Sequence, residues 1–288
     1  MSSLSSKSLN YIGTINCIPL YSKDKKDSKF IEDYKFTNWV KKLSSNFNIR
    51  KIFVNDVHWF GSKLGFVNCE AEAYDRIGDI IPGISLIRGN CCAVLIILEC
   101  EGIKYAVNVT ESRVPVACMH TQAVSGMLDE EGYPGGRIVN KVINEVKEET
   151  GIDISNCEII NMSERIQKIA ASKGLSVSKY WKTSAGTTDE GIINFALKQK
   201  ISPENLKKLN NRVMYNKSEN EKCFVSYVPL EHFGMIADSK NKALINDYNI
   251  LMKENHLPES WYHTPWYKTN TSIIIGMSCL MYTLSKYL

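Results

Sequence analysis

GMLDEEGYPGGRIVNKVINEVKEETGI, residues 126–152, sets a glycine-rich loop directly against an amphipathic segment. Ile138, Val139, Val142, Ile143 and Val146 recur at helical spacing, which predicts a helix from Arg137 to Thr150 with one buried stripe and Gly151 as its stop. Opposite that stripe Glu145, Glu148 and Glu149 fall three and four residues apart, so their carboxylates share a face, and Lys147 lies off it. Each like-charged pair costs roughly a few tenths of a kcal/mol when exposed. A solvated charged face accounts for most glutamate-rich helices. A glycine-rich loop feeding clustered carboxylates points elsewhere, because Mg²⁺ takes oxygen ligands from carboxylates together with substrate phosphate oxygens.

Upstream, CCAVLIILE and KYAVNVTE, parted by the turn-like CEGI, read as an apolar hairpin at the centre of a sheet. Before them, YIGTINCIPL, IRKIFVNDVHWF and KLGFVNCEAEAY are strand-like, and FIEDYKFTNWVKKLSS has a helical pattern. The turn signal DIIPG at 79–83 separates a β-rich region, 1–84, from the remainder, 85–288. The apolar run from Ile273 to about Tyr282 is half the ~20 residues a membrane span needs and reads as a buried C-terminal helix.

The 288 residues, 44% of them hydrophobic, suffice for one large domain or two smaller ones. Thirty-five basic against 31 acidic residues leave a net charge of +4, scattered along the chain, which argues against a nucleic-acid partner. Nine cysteines without a CxxC spacing argue against a disulfide framework or a zinc site and fit a reducing compartment. MSSLSSKSLN has no apolar core for a secretory signal; a cytoplasmic location is expected, and its Ser and Lys content is compatible with an organelle transit peptide. His58, His120, His232, His256 and His263 show no ligand spacing.

The stretch 126–152 resembles the Nudix box, whose helix ends Arg-Glu-apolar-x-Glu-Glu-x-Gly-apolar, here Asn144 to Ile152. RGNCCAVLIILECEGIKYAVNVTESRVPVA, GMLDEE and SAGTTDEGIINFAL are similar in order and spacing to segments of ADP-sugar diphosphatases, and YKFTNWVKKL and DVHWFGSKLGFV to the N-terminal region of their plant type. The resemblance runs from about residue 30 to 200. It implies an α/β fold, a Nudix α/β/α sandwich with a mixed sheet and an added N-terminal β-rich region that dimerises. It also implies hydrolysis of an ADP-sugar such as ADP-ribose or ADP-glucose, with Mg²⁺ or Mn²⁺ as cofactor, a homodimeric assembly, and neither a membrane nor a nucleic acid as partner.

Carried over residue by residue, the resemblance makes Glu145, Glu148 and Glu149 metal ligands, with Glu148 also catalytic, and adds the backbone carbonyl of Ser125. In SAGTTDEG it places the general base at Glu190, a carboxylate on a mobile loop, with Asp189 as the alternative. Read alone, that stretch is a Gly/Thr turn with two solvated acids. Arg113 stands where the family binds phosphate, and a guanidinium suits that task; Arg88 is a second candidate. Trp59 or Phe60 would supply an adenine platform.

Some positions depart from the pattern. Asn144 replaces the usual arginine, Gln122 a common glutamate, Val124 and Ser125 a Pro-Ala pair, and EEGYPGG lengthens the loop by about four residues. Two alternatives therefore stand beside an ADP-sugar diphosphatase: a Nudix enzyme for another nucleoside diphosphate derivative, and a nucleotide-binding sensor with weak turnover.

Overall fold

The computed structural model describes residues 9–22, 28–128, 135–216 and 221–262, and its strands gather into two sheets. The first holds β1 (Asn10–Ile15), β2 (Ile18–Ser22), β3 (Asn48–Phe60), β4 (Lys63–Tyr74), β5 (Ile80–Ile81) and β6 (Ile84–Ile87), in the order β1-β2-β3-β4-β5 with β6 also on β4. YIGTINCIPL becomes two strands because Asn16 and Cys17 turn the chain with φ of 46° and 63°. The parallel pair β2–β3 is bridged by α1 (Tyr34–Asn46), whose first turn is capped by Asp33 accepting the Lys35 N–H at 2.8 Å. Phe30, Phe36 and Val40 close over Leu20, Ile52, Val54 and Val67 to give this sheet its own core.

The second sheet holds β7 (Cys91–Cys100), β8 (Ile103–Arg113), β9 (Cys118–Gln122), β10 (Val124–Met127), β11 (Ile159–Asn161), β12 (Trp181–Lys182), β13 (Gly191–Lys200), β14 (Val213–Asn216) and β15 (Glu221–Pro229). Its order is β11-β13-β7-β8-β15-β14, and it is mixed: β7 and β13 run parallel, β7 and β8 antiparallel. The central hairpin turns on two residues, Glu101 and Gly102, with φ of 50° and 83°, the left-handed pair that matches strand twist. Beyond the Ile97–Ala106 pair β7 and β8 part; β10 joins β7 and β9 joins β8. That divergence opens one end of the sheet.

The helices are α2 (Gly135–Thr150), α3 (Met162–Ser172), α4 (Pro203–Leu209) and α5 (Ser239–Lys253). Strand β7 decides their layering. Cys92, Val94, Ile96 and Leu98 pack with Val142 and Val146 of α2, while Cys91, Ala93, Leu95 and Ile97 pack with Ile169 of α3 and Leu244 and Leu251 of α5. Burying a Leu, Ile or Val side chain contributes roughly 1.5–3 kcal/mol, so one strand committed to both faces ties the layers together. The result is a mixed sheet between helices, the α/β/α layering expected from the sequence. Trp261 is buried with the α5 face; Trp266 and the apolar run at 273–282 lie outside the described residues. No helix among the described residues is long and apolar enough to cross a membrane.

The two sheets meet along β6. The Leu86 N–H donates to the Thr187 carbonyl at 2.8 Å, and Leu86 forms a bridge with Thr188 in the loop before β13.

Candidate active site

Helix α2 begins at Gly135, two residues before the expected Arg137, and its carboxylates point at the open end of the sheet. Glu145, Glu148 and Glu149 line one small cavity of about 20 Å³ with Glu111 of β8, Glu221 of β15, and Val109, Met214, Asn216 and Cys223. That is room for a single water-sized occupant. Five carboxylates around so small a space repel one another. The Glu149 carboxyl is pushed well above its ordinary range, first by burial and then by Glu145, Glu111 and Glu221, with Arg113 opposing. Its Oε2 is buried and has no hydrogen-bond partner among the described residues. Glu148 is exposed and accepts from the Asn216 side-chain amide at 3.5 Å.

The α2 face is not a solvated one, and its charge is not wholly uncompensated. Glu145 is 9% exposed, and Lys141 one turn earlier pairs with it at 2.6 Å. The sequence reading weighed only Lys147; the i, i+4 partner on the N-terminal side corrects it. Glu145 also lies flat against Gly126 of β10, where a Cβ would land on its carboxylate. Ser125, the neighbour whose carbonyl was expected to serve as a ligand, pairs with Ala93 of β7 in the same strand.

Do these residues suit a divalent cation? Among the described residues no three His, Cys, Asp or Glu side chains converge at the distances one ion requires. The donor set is nonetheless mainly that of a hard cation: five carboxylates and the Asn216 amide beside the one thiol of Cys223, with one carboxylate oxygen buried and unpartnered among the described residues, and Gly126 leaving room for the Glu145 carboxylate. Unpartnered buried oxygens are costly, and a cation is what this chemistry would accept. Carboxylate side chains held apart by mutual repulsion can draw together around a positive charge.

Glu111 and Glu221 escaped the sequence reading. Glu111 could have been found: in β8 it follows Val107 and Val109 at period two, and both valines face α2. Glu221 opens a strand that had not been read as one. Arg113 is close to the cavity, bound to Glu111 at 2.5 Å, and the Gln122 side-chain amide donates to the same Glu111 oxygen. Gln122 thus holds the Glu111 carboxylate together with Arg113.

Glu190 lies just ahead of β13, outside the residues that line the cavity. Its Oε1 is 3.2 Å from the Arg88 guanidinium and its Oε2 accepts the Thr183 hydroxyl at 3.0 Å. Asp189 is engaged differently, accepting the backbone N–H groups of Arg88 at 2.8 Å and Gly89 at 3.1 Å, while its carbonyl accepts from Lys182 at 2.8 Å. With the Leu86 contacts, these ties anchor the segment ahead of β13 to the first sheet. Arg88 also lies over the Phe66 ring at 5.7 Å and donates to the Met127 sulfur at 3.3 Å, so the two residues singled out as base and phosphate binder are partners of each other. Trp59 packs on the core of the first sheet, and Phe60, 64% exposed, stands edge-on to Phe66 at 5.5 Å.

Over 234 residues, 78% of this chain and 72% of the relative, the sequence is 27% identical to Nudix hydrolase 14, chloroplastic, of Arabidopsis thaliana. That similarity supports the Nudix hydrolase family. No family model matches the chain. Among solved structures it is similar to an ADP compounds hydrolase, with 12% identity and a TM-score of 0.44 over 74% of this chain and 97% of the other. It is also similar to an Ap4A hydrolase of C. elegans, with 15% identity and a TM-score of 0.35 over 58% and 98%. Within the Nudix-like stretch 126–152, the carboxylates of α2 and the glycine they pack against come together, while Asn144 points to solvent.

Proposed function

We propose that the chain hydrolyses the diphosphate of an ADP-sugar, ADP-ribose or ADP-glucose, to AMP and a sugar phosphate, with Mg²⁺, or Mn²⁺ in its place. The observation that carries this reading is the buried, unpartnered Oε2 of Glu149 in a cavity walled by carboxylates. Glu145, Glu148 and Glu149 would hold the cation, with the Ser125 carbonyl as a further donor. The ion would supply charge neutralisation for the diphosphate. Arg113, released in part from Glu111, steadies a phosphate by paired N–H donors. Glu190 is the proposed acceptor of the attacking water's proton, with Asp189 as the alternative. The region 1–84 is the proposed dimerisation unit of a homodimer. The relative whose name says chloroplastic supports organelle localisation beside the cytoplasmic alternative.

A second reading, a nucleotide-binding module of low turnover, is favoured by one observation: Lys141 pairs with Glu145 and Arg113 with Glu111, so the chain itself supplies positive charge to the carboxylate cluster. Assaying AMP release from ADP-ribose, ADP-glucose and dinucleotide substrates with and without Mg²⁺, alongside ADP-ribose titration calorimetry, separates the readings. Mg²⁺-dependent AMP release lost in Glu149→Gln supports the enzyme. Tight binding without release supports the module, and full activity in the variant overturns the site assignment.

A further inference from the structure

Residues 171–187 are exposed apart from half-buried Tyr180, and Trp181 stands in this run with 40% of its surface in solvent. Its ring is fixed from below. The indole N–H donates to both oxygens of Asp247 at 3.2 and 3.1 Å, and Asp247, on α5, is 2% exposed. The same carboxylate accepts the side-chain amide of fully buried Asn194 at 2.8 Å, and the Asn194 backbone N–H is held by Ser163 at 2.9 Å. The groups that hydrogen-bond Asp247 are neutral: Trp181, Asn194 and Asn246. Burying a carboxylate among neutral donors is expensive. What it secures is a strong, charge-assisted grip on one indole edge, with two fifths of the residue still in solvent.

The pairing register fixes the side of the sheet on which Trp181 lies. Trp181 pairs with Ile192, so it shares the α3–α5 side of the sheet with Ile192 and with Glu190 two residues earlier; Thr183, two residues after Trp181, donates its hydroxyl to Glu190. Trp181, Thr183 and Glu190 therefore follow one another along one face. We propose that Trp181 is a stacking platform for the planar base of the nucleotide, with Asp247 as the positioning residue that holds it there. The inference rests on the functional reading above only for the identity of the ligand as a nucleotide.

Stacking of a base on an aromatic side chain changes affinity by about tenfold or more. Titration of AMP into the wild-type protein should quench tryptophan emission, and the quench should be absent in Trp181→Phe, which keeps a ring but not the fluorophore. Trp181→Leu should raise the AMP Kd and the substrate KM about tenfold with kcat within threefold, while inhibition by ribose 5-phosphate, which lacks a base, stays unchanged. Asp247→Asn, keeping an acceptor, should fall between. The proposal is overturned by a quench that survives in Trp181→Phe, by an AMP Kd within twofold of wild type in Trp181→Leu, or by equal weakening of AMP and ribose 5-phosphate. Nucleotide hydrolysis with Trp181-independent AMP binding sinks this inference alone. Trp181-dependent AMP binding without hydrolysis sinks the enzymatic reading alone.

Discussion

Asp189 accepts the backbone N–H of Arg88 at 2.8 Å across 101 residues of chain. Through that bond and its companion from Gly89 the first sheet sets the position of the neighbouring Glu190. Asp189→Ala should leave the fold intact at a cost of about 1–2 kcal/mol, and lower kcat by about 10- to 100-fold through misplacement of Glu190, the proposed base. Asp189→Asn keeps an oxygen for both N–H groups and should restore most of the rate. Steady-state kinetics of the two variants decide it; equal loss in both would mean that Asp189 acts through its charge and not as a clamp.

Glu149 links pH to stability in the absence of divalent ions. Its folded carboxyl titrates above its unfolded value, so the folded state is favoured with the group protonated. Its stabilising contribution is complete below the unfolded value of about 4.3 and is lost as pH rises through the raised folded value. Asp247, also raised by burial, has the same sign, so the comparison must be with a variant rather than with wild type alone. Glu149→Gln in EDTA should unfold about 2–4 °C higher than wild type at pH 8, from about 1 kcal/mol relieved, and the gap should close toward pH 5. Added Mg²⁺ should raise the wild-type midpoint and not the variant's. Scanning calorimetry at the two pH values tests this, and a variant less stable at pH 8 contradicts it.

How much of this was legible in the residues depends on whether local pattern or tertiary contact carried the information. The double-sided burial of Cys91–Cys100 and the stripe of Val142 and Val146 were readable because period and composition act locally. Glu111 was readable in principle from the two-residue period of β8 and was missed. Glu221 and the Asp189 clamp were not readable, since both depend on strands brought together from distant parts of the chain. Lys141 is a local signal, because four residues is the spacing at which such helical pairs form.

Lys141 competes with any cation for Glu145, since its ammonium is 2.6 Å from Oε1 and the pair is only partly exposed. Lys141→Met keeps the aliphatic stem and removes the competitor. A partly exposed pair is worth about 1 kcal/mol or less, so Mn²⁺ should bind up to about fivefold more tightly, as read by electron paramagnetic resonance titration of free Mn²⁺. Weaker binding in the variant would show Lys141 to be a support for the site instead of a rival within it.

Gly126 tests whether the cradle matters as much as the acids. A Cβ at this position meets the Glu145 carboxylate, and Gly126 pairs with Cys92 in the middle of β10, so neither partner has room to retreat along the sheet. The easier movement is for Glu145 to swing away toward Lys141 and solvent. Gly126→Ala should therefore fold, losing about 1–3 kcal/mol to local crowding, while Mn²⁺ affinity falls about tenfold or more because one donor has been displaced. Calorimetric Mn²⁺ titration beside thermal unfolding separates the two effects. A variant destabilised by that amount but binding Mn²⁺ as wild type does would remove Glu145 from the set of ligands and leave Glu148 and Glu149, with Glu111 and Glu221, to hold the ion.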